Sequence, residues 1–203
     1  MVYIIDYGVG NLGSVVRMIE KVGGRAKCIS TPKEILCADK FILPGVGHFD
    51  CGMSQIIKRG LLESLRERVI VQGIPIMGIC LGMQLLCKFS EEGKLPGLGF
   101  INAHVCKFQL LSGQNFKIPH MGWNNIRITR SNLLFDISAQ EQRFYFVHSY
   151  YVIPEVFDIT IAISTHGFEF CAAFQSENIF GVQFHPEKSH SFGMALMKRF
   201  IEL

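Results

Sequence analysis

The 203-residue chain has no Lys/Arg run, no apolar stretch of membrane length, no Cys-x-x-Cys pair, no repeat and only one Trp. Each absence excludes something. Its 20 basic and 17 acidic residues are scattered and leave a net charge of +3, without the stripe that tracks a phosphate backbone, so nucleic acid is not an expected partner. Gly, Pro or charge interrupts every apolar run before the roughly 20 residues that a bilayer requires, which argues against a membrane partner. Asp6 and nearby glycines break the first apolar run and no basic region precedes it, unlike a secretory signal. Seven cysteines without paired spacing suggest reduced thiols and a cytoplasmic setting. Seven histidines without ligand spacing suggest no metal, and no cofactor motif survives closer reading.

What is present is a chain for a packed core: 49% hydrophobic, 18% charged and without a linker-like tract, which predicts one domain over residues 1–203. In the first half, strand patterns at 2–6, 25–29, 40–43 and 74–79 alternate with helix patterns at 11–22, 53–70 and 81–88. That alternation predicts an α/β fold with a mostly parallel sheet and helices on both faces. From about residue 100 the pieces 101–108, 116–128, 143–153, 158–164, 168–175 and 178–184 predict antiparallel additions, and an amphipathic helix near 190–202 closes the chain. Loops after parallel strands gather on one edge, where open α/β sheets bind ligands.

DYGVGNLGS places Gly8, Gly10 and Gly13 in a G-x-G-x-x-G spacing after a strand, a dinucleotide signature. Such a site needs an acidic residue closing the second strand. Arg25 to Ser30 supplies none, so the chemistry is sought elsewhere.

IPIMGICLGMQLL supplies it. An apolar strand runs into Gly78-Ile79-Cys80-Leu81-Gly82 and then into a helix pattern, the nucleophile-elbow arrangement with Cys in place of Ser. A sharp strand-to-helix turn strains its apex residue and leaves little room beside it, hence the two glycines. The apex thiol would lie at the positive end of the helix, which favours a thiolate, and the Leu81 N–H becomes a candidate oxyanion donor. GVQFHPEKS offers a base: Val182 and Phe184 face a core with Gln183 between them, and His185 and Glu187 flank Pro186, at which the strand must end. His185 would take the Cys80 proton while Glu187 orients the imidazole. Sequence alone does not bring the two segments together. A binding-only module remains open if they lie apart, as does a free-standing cysteine hydrolase.

With LPGVGHFDCGM, GICLGMQLL, SEEG, GLG, KIPHMGWN, FVHSYY and FGVQFHPEKS in this order, the chain resembles the class I glutamine amidotransferases, which share a flavodoxin-like, single-domain fold. Within them it is most similar to the glutaminase subunit of imidazole glycerol phosphate synthase. The resemblance implies a Cys80, His185 and Glu187 triad, with Gly45, Val46, Gly47 and Leu81 forming the oxyanion site. It implies that Gln84, Glu92, His148, Ser149 and Tyr150 hold L-glutamine. It also implies that Asn11, Trp123 and Lys188 face a (βα)8-barrel cyclase in a heterodimer, which receives the ammonia. His48 and Cys51 depart from the smaller or more neutral residues expected there. That departure leaves open a related recipient, a sugar-nucleotide amidation synthase of surface-polysaccharide pathways.

Overall fold

A computed structural model of the chain describes residues 1–109, 116–138 and 142–203. Five parallel strands form the spine in the order β2 (Ala26–Ile29), β1 (Val2–Ile5), β3 (Phe41–Gly45), β4 (Ile76–Cys80) and β12 (Ile179–Val182). Apart from the edge strand β2, where Lys27 and Cys28 are exposed, their apolar runs reflect burial on both faces. On one face, α1 (Leu12–Lys21) and α6 (His190–Glu202) press Val15, Ile19, Leu196 and Phe200 toward Val2, Ile4 and Ile42. On the other, α2 (Pro32–Leu36), α3 (Phe49–Lys58), α4 (Leu62–Arg66) and α5 (Leu81–Leu85) bury Ile35, Met53, Ile56, Leu65 and Leu85 with Ile5, Phe41, Leu43 and Ile76.

Beyond β12 the sheet continues antiparallel through β11 (Phe168–Ser176), β10 (Thr160–His166), β7 (His120–Ile128) and β8 (Arg143–His148). Off this path, β9 (Tyr150–Pro154) pairs with β11 and with β6 (Ala103–Lys107), which carries the short β5 (Phe89–Ser90). The sheet is mixed, as the sequence predicts, but its antiparallel part is larger than a mostly parallel sheet implies. Among the described residues, five pairings are parallel and six antiparallel.

Four local departures have physical causes. The expected 53–70 helix begins at Phe49, because His48 caps it, and breaks at Gly60, whose φ of +67° ends the first segment; α4 then runs into a π turn at Glu67–Val71. The short α2 was not anticipated, although Thr31 and Glu34 form a capping box around Pro32. The expected 81–88 helix stops at Leu85, since the carbonyls of Leu85, Leu86 and Cys87 are taken by the N–H groups of Leu98, Ile101 and Gly99. The single 143–153 piece is two strands with a corner at Ser149, whose carbonyl accepts from Phe108.

The antiparallel part encloses an aromatic and imidazole cluster. His120 stacks on His166 at 4.2 Å between ring centres and on Phe146 at 4.7 Å, while Phe108 and Phe170 flank His148. Burial, with a smaller contribution from His166, pushes His120 down to about 4; burial, reinforced by neighbouring imidazoles against a bond to Tyr150, pushes His148 down to about 3.

Two predictions concern stability. A Cβ on Gly82 would lie 1.8 Å from the Leu43 carbonyl oxygen, whereas one on the exposed Gly13 of α1 meets only Arg17 Nη1 at 3.5 Å. Gly82→Ala should therefore cost about 3 kcal/mol and lower the unfolding midpoint by about 6–12 °C, whereas Gly13→Ala should be neutral or gain up to about 1 kcal/mol. Equal midpoints for the two variants in thermal melts would contradict the close approach. Second, both buried imidazoles have folded values below the ordinary one, so the unfolded chain binds more protons below about pH 6.5. Stability is then full above that pH and falls as pH drops through the window toward 4. Denaturant titrations should show His120→Phe flattening this slope by about one proton near pH 5.

Candidate active site

β3 and β4 end side by side with Gly45 opposite Cys80, so the two backbones that could hold an oxyanion lie at one sheet edge. Cys80 has φ 54° and ψ −111°, a conformation that an L residue adopts only when its surroundings enforce it. They do so here. A Cβ on Gly78 would lie 2.6 Å from the Gly82 carbonyl oxygen, and one on Gly82 would run into Leu43, so only glycines permit the turn. Because α5 has five residues, its support for a thiolate is weaker than the longer predicted helix implies.

The oxyanion segment follows directly. Gly45 is buried, Val46 is 43% exposed and Gly47 has φ +96° with open space around it. The glycine-rich loop after β1 supports this segment from behind. Tyr7 donates to the Pro44 carbonyl at 2.7 Å, and Gly10 lies against the Pro44–Gly45 backbone. Burial, then the nearby Cys80 sulfur, pushes the Tyr7 phenol well up, so it stays a donor.

His185 and Glu187 come from the turn after β12. The His185 N–H bonds to the Tyr145 carbonyl, and Pro186 opens a 3-10 turn that brings Glu187 back beneath the ring. Glu187 Oε1 accepts from His185 Nδ1 at 2.7 Å, both side chains being almost wholly buried. His185 lines a cleft of about 310 Å³ that also contains Cys80, whose sulfur is near enough to act on the ring. Burial opposes charge on His185, but the Cys80 sulfur and Glu187 outweigh it and push the imidazole up to about 10. The ring thus favours the protonated form that pairs with a thiolate. The structure brings Cys80 and His185 together, which removes the reason for a binding-only module.

Gln84, Glu92, His148, Ser149 and Tyr150 line the same cleft, together with Val46, Gly47 and Leu81. Gln84 does not present its amide nitrogen: Nε2 donates to the Tyr150 carbonyl at 3.2 Å and to Gln183 Oε1 at 3.0 Å. Its oxygen is the end left for a ligand's ammonium. Glu92 spends Oε2 on the Phe49 N–H at the start of α3. His148 Nδ1 bonds the Tyr150 carbonyl at 2.8 Å, and since a carbonyl only accepts, Nε2 must accept from His120 Nδ1 at 2.9 Å. His120 Nε2 in turn accepts from Asn124 at 3.1 Å.

Sequence reasoning missed two residues. Gln183, read as the polar position between two core residues, is wholly buried and donates to Cys80 Sγ at 3.8 Å. His120 was not singled out at all. Neither carries a signal in spacing, because each acts through a contact from a different strand.

The remaining expectations fall on the surface. Asn11 caps α1 by accepting from the Ser14 N–H at 3.3 Å. Trp123 is 41% exposed on β7 and stacks on His190, so it is not a core residue. Lys188 is exposed over the Tyr145 ring at 5.7 Å. Among the described residues, no helix is long and apolar enough to cross a membrane, and no group of His, Cys, Asp and Glu is placed to hold a metal. All seven cysteines are free; burial pushes the thiols of Cys87 and Cys171 up, the latter to about 12, as expected of packing residues.

The family described as glutamine amidotransferase class-I matches residues 3–203. A Methanococcus maripaludis protein named imidazole glycerol phosphate synthase subunit HisH 2 is 51% identical, with 100% of this chain and 99% of the relative covered. A Pseudomonas aeruginosa protein of the same name is 46% identical over all of both chains. A crystal structure described as a glutamine amidotransferase superposes with a TM-score of 0.74 at 16% identity, over 99% of this chain and 97% of that one, which supports the fold alone. The chain belongs to the class-I glutamine amidotransferase family.

Proposed function

We propose that residues 1–203 form one amidotransferase domain, the glutaminase subunit of an imidazole glycerol phosphate synthase. It hydrolyses L-glutamine to glutamate and ammonia and passes the ammonia to a (βα)8-barrel cyclase in a cytoplasmic heterodimer. The cyclase makes imidazole glycerol phosphate and AICAR. One observation carries this reading: Cys80 and His185 share a cleft with Glu187 behind the imidazole, in a chain that matches two subunits of that name over their full length. His48 caps α3 by accepting from the Asp50 N–H, which gives its presence a structural reason.

The chemistry needs only backbone and side-chain groups of this chain, and water. Cys80 Sγ, as thiolate, attacks the side-chain carbonyl carbon of glutamine, and the oxyanion is met by N–H groups of Leu81 and the Gly45–Gly47 segment. The His185 imidazolium donates its proton to the departing nitrogen, the C–N bond breaks and ammonia leaves a glutamyl thioester. Water then attacks the thioester while His185 takes its proton. Sulfur leaves as thiolate, glutamate is released and the imidazolium is restored. Glu187 holds Nδ1 throughout, so that Nε2 faces the reaction. Ammonia released into neutral water would mostly take a proton and lose its lone pair, so a protected path to the partner follows. Asn11, Trp123 and Lys188 would face that partner.

Cys80→Ala should abolish glutamine hydrolysis while sparing ammonia-dependent synthesis by the reconstituted pair, measured by product formation from ammonium salts. Glutamine turnover near the parent rate would reject Cys80 as nucleophile. The isolated subunit should turn over slowly, and the cyclase should raise its glutaminase rate about a hundredfold or more, the worth of one completed oxyanion donor. A fast glutaminase without partner would instead indicate a free-standing hydrolase.

A further inference from the structure

We infer that Gln183 is a further catalytic residue, whose side-chain amide donates to the Cys80 thiolate and stabilises it both as attacking and as leaving group. The inference rests on Cys80 being the nucleophile and is carried by the direction of the hydrogen bonds around it. The Tyr150 carbonyl accepts only, so the end of Gln84 that meets it at 3.2 Å is the amide nitrogen. The second hydrogen of that nitrogen points to Gln183 at 3.0 Å, which makes the Gln183 atom there the oxygen. Gln183 Nε2 is therefore turned toward Cys80 Sγ, at 3.8 Å. No freedom remains for the amide to flip, because a flip would set two donors against each other.

The setting gives this donor weight. Gln183 is completely buried and its backbone is pinned by the Ala172 carbonyl, so its amide is held ready rather than drawn from solvent. The groups facing the sulfur are few. His185 lies across the cleft with Glu187 behind it, and the Tyr7 phenol approaches from the loop after β1. The neutral His148 and the more distant Glu92 line the cleft walls. The Val147 carbonyl lies 3.8 Å from Sγ and accepts from the thiol. Gln183 offsets that carbonyl: its N–H bond strengthens as the sulfur becomes negative, whereas the carbonyl contact turns repulsive. With α5 so short, this side chain takes over part of what a long helix would supply.

The test is the pH dependence of Cys80 alkylation by iodoacetamide, read on the Cys80 peptide by mass spectrometry so that the exposed thiols do not interfere. Gln183→Met keeps the length and removes the donor. Its alkylation profile should move up by about one pH unit, an approximately tenfold slower reaction below the midpoint. With the cyclase present, kcat for glutamine should fall about tenfold or more while KM stays within about twofold. A profile and kcat equal to the parent's, or a rise in KM alone, would overturn the proposal and leave Gln183 a satisfied core amide. A readout free of folding effects uses the unmutated sequence: the Gln183 side-chain amide proton resonance should shift as Cys80 titrates. An unmoved resonance would also overturn it. Alkylation requires no glutamine turnover, so this experiment can fail while the glutaminase reading stands, and the Cys80→Ala assay can fail independently.

Discussion

The contact between Gly82 and the Leu43 carbonyl oxygen is the constraint on which the site depends. A strand buried on both faces cannot deliver a side chain to solvent at its end unless the chain turns away at once, and here it turns in a single residue. That residue bears the strain, with Cys80 at φ 54°, and the space is made by hydrogens at positions 78 and 82. Because β3 presses against this turn, Gly45 falls opposite Cys80. The Cys80 turn and the Gly45 end of β3 are thus set by one packing event.

Protons at the site are arranged by the same economy. The His185 imidazole is buried yet favours its charged form, because a sulfur and a carboxylate face it. His148, on the wall of the same cleft, is buried without a carboxylate beside it and stays neutral. Opposite environments therefore divide two histidines into one that favours the imidazolium and one that stays neutral in the wall. The Tyr150 carbonyl is the hinge between them, since it receives both His148 and Gln84 and so fixes the direction of every later donor up to the sulfur. Asn124 continues that chain to β7, the strand that exposes Met121 and Trp123 on its other face.

Much of this was legible in the sequence where the cause is local. Glycines flanking a Cys between an apolar strand and a helix pattern state a steric requirement, and Gly78 and Gly82 meet it as read. His185 and Glu187 flank a proline and meet across a single turn. The parallel spine was legible because β1, β3, β4 and β12 are mainly apolar runs. What was not legible depends on pairings between distant segments. The length of α5 is set by the 97–101 segment taking its carbonyls, and the corner at Ser149 by Phe108. Gln183 sits at a position whose alternation with Val182 and Phe184 predicts a half-exposed amide. Only the arrival of Gln84 from α5 and of Cys80 at the end of β4 turns that amide inward.

The glycine loop shows how a motif can be sterically right and chemically misleading. Its spacing matches a phosphate-binding turn because both uses need close backbone approach and positive φ. Here Gly8 and Gly10 have φ +88° and +110°, and Gly10 brings the loop against Pro44 and Gly45 rather than against a ligand. Tyr7 then grips the Pro44 carbonyl, which anchors one end of the oxyanion segment while Val46 and Gly47 are left exposed. A segment held at one end and open at the other has few contacts opposing rotation of a peptide unit between glycines. Any activation by a partner must act at that open end, since the buried end is already fully engaged.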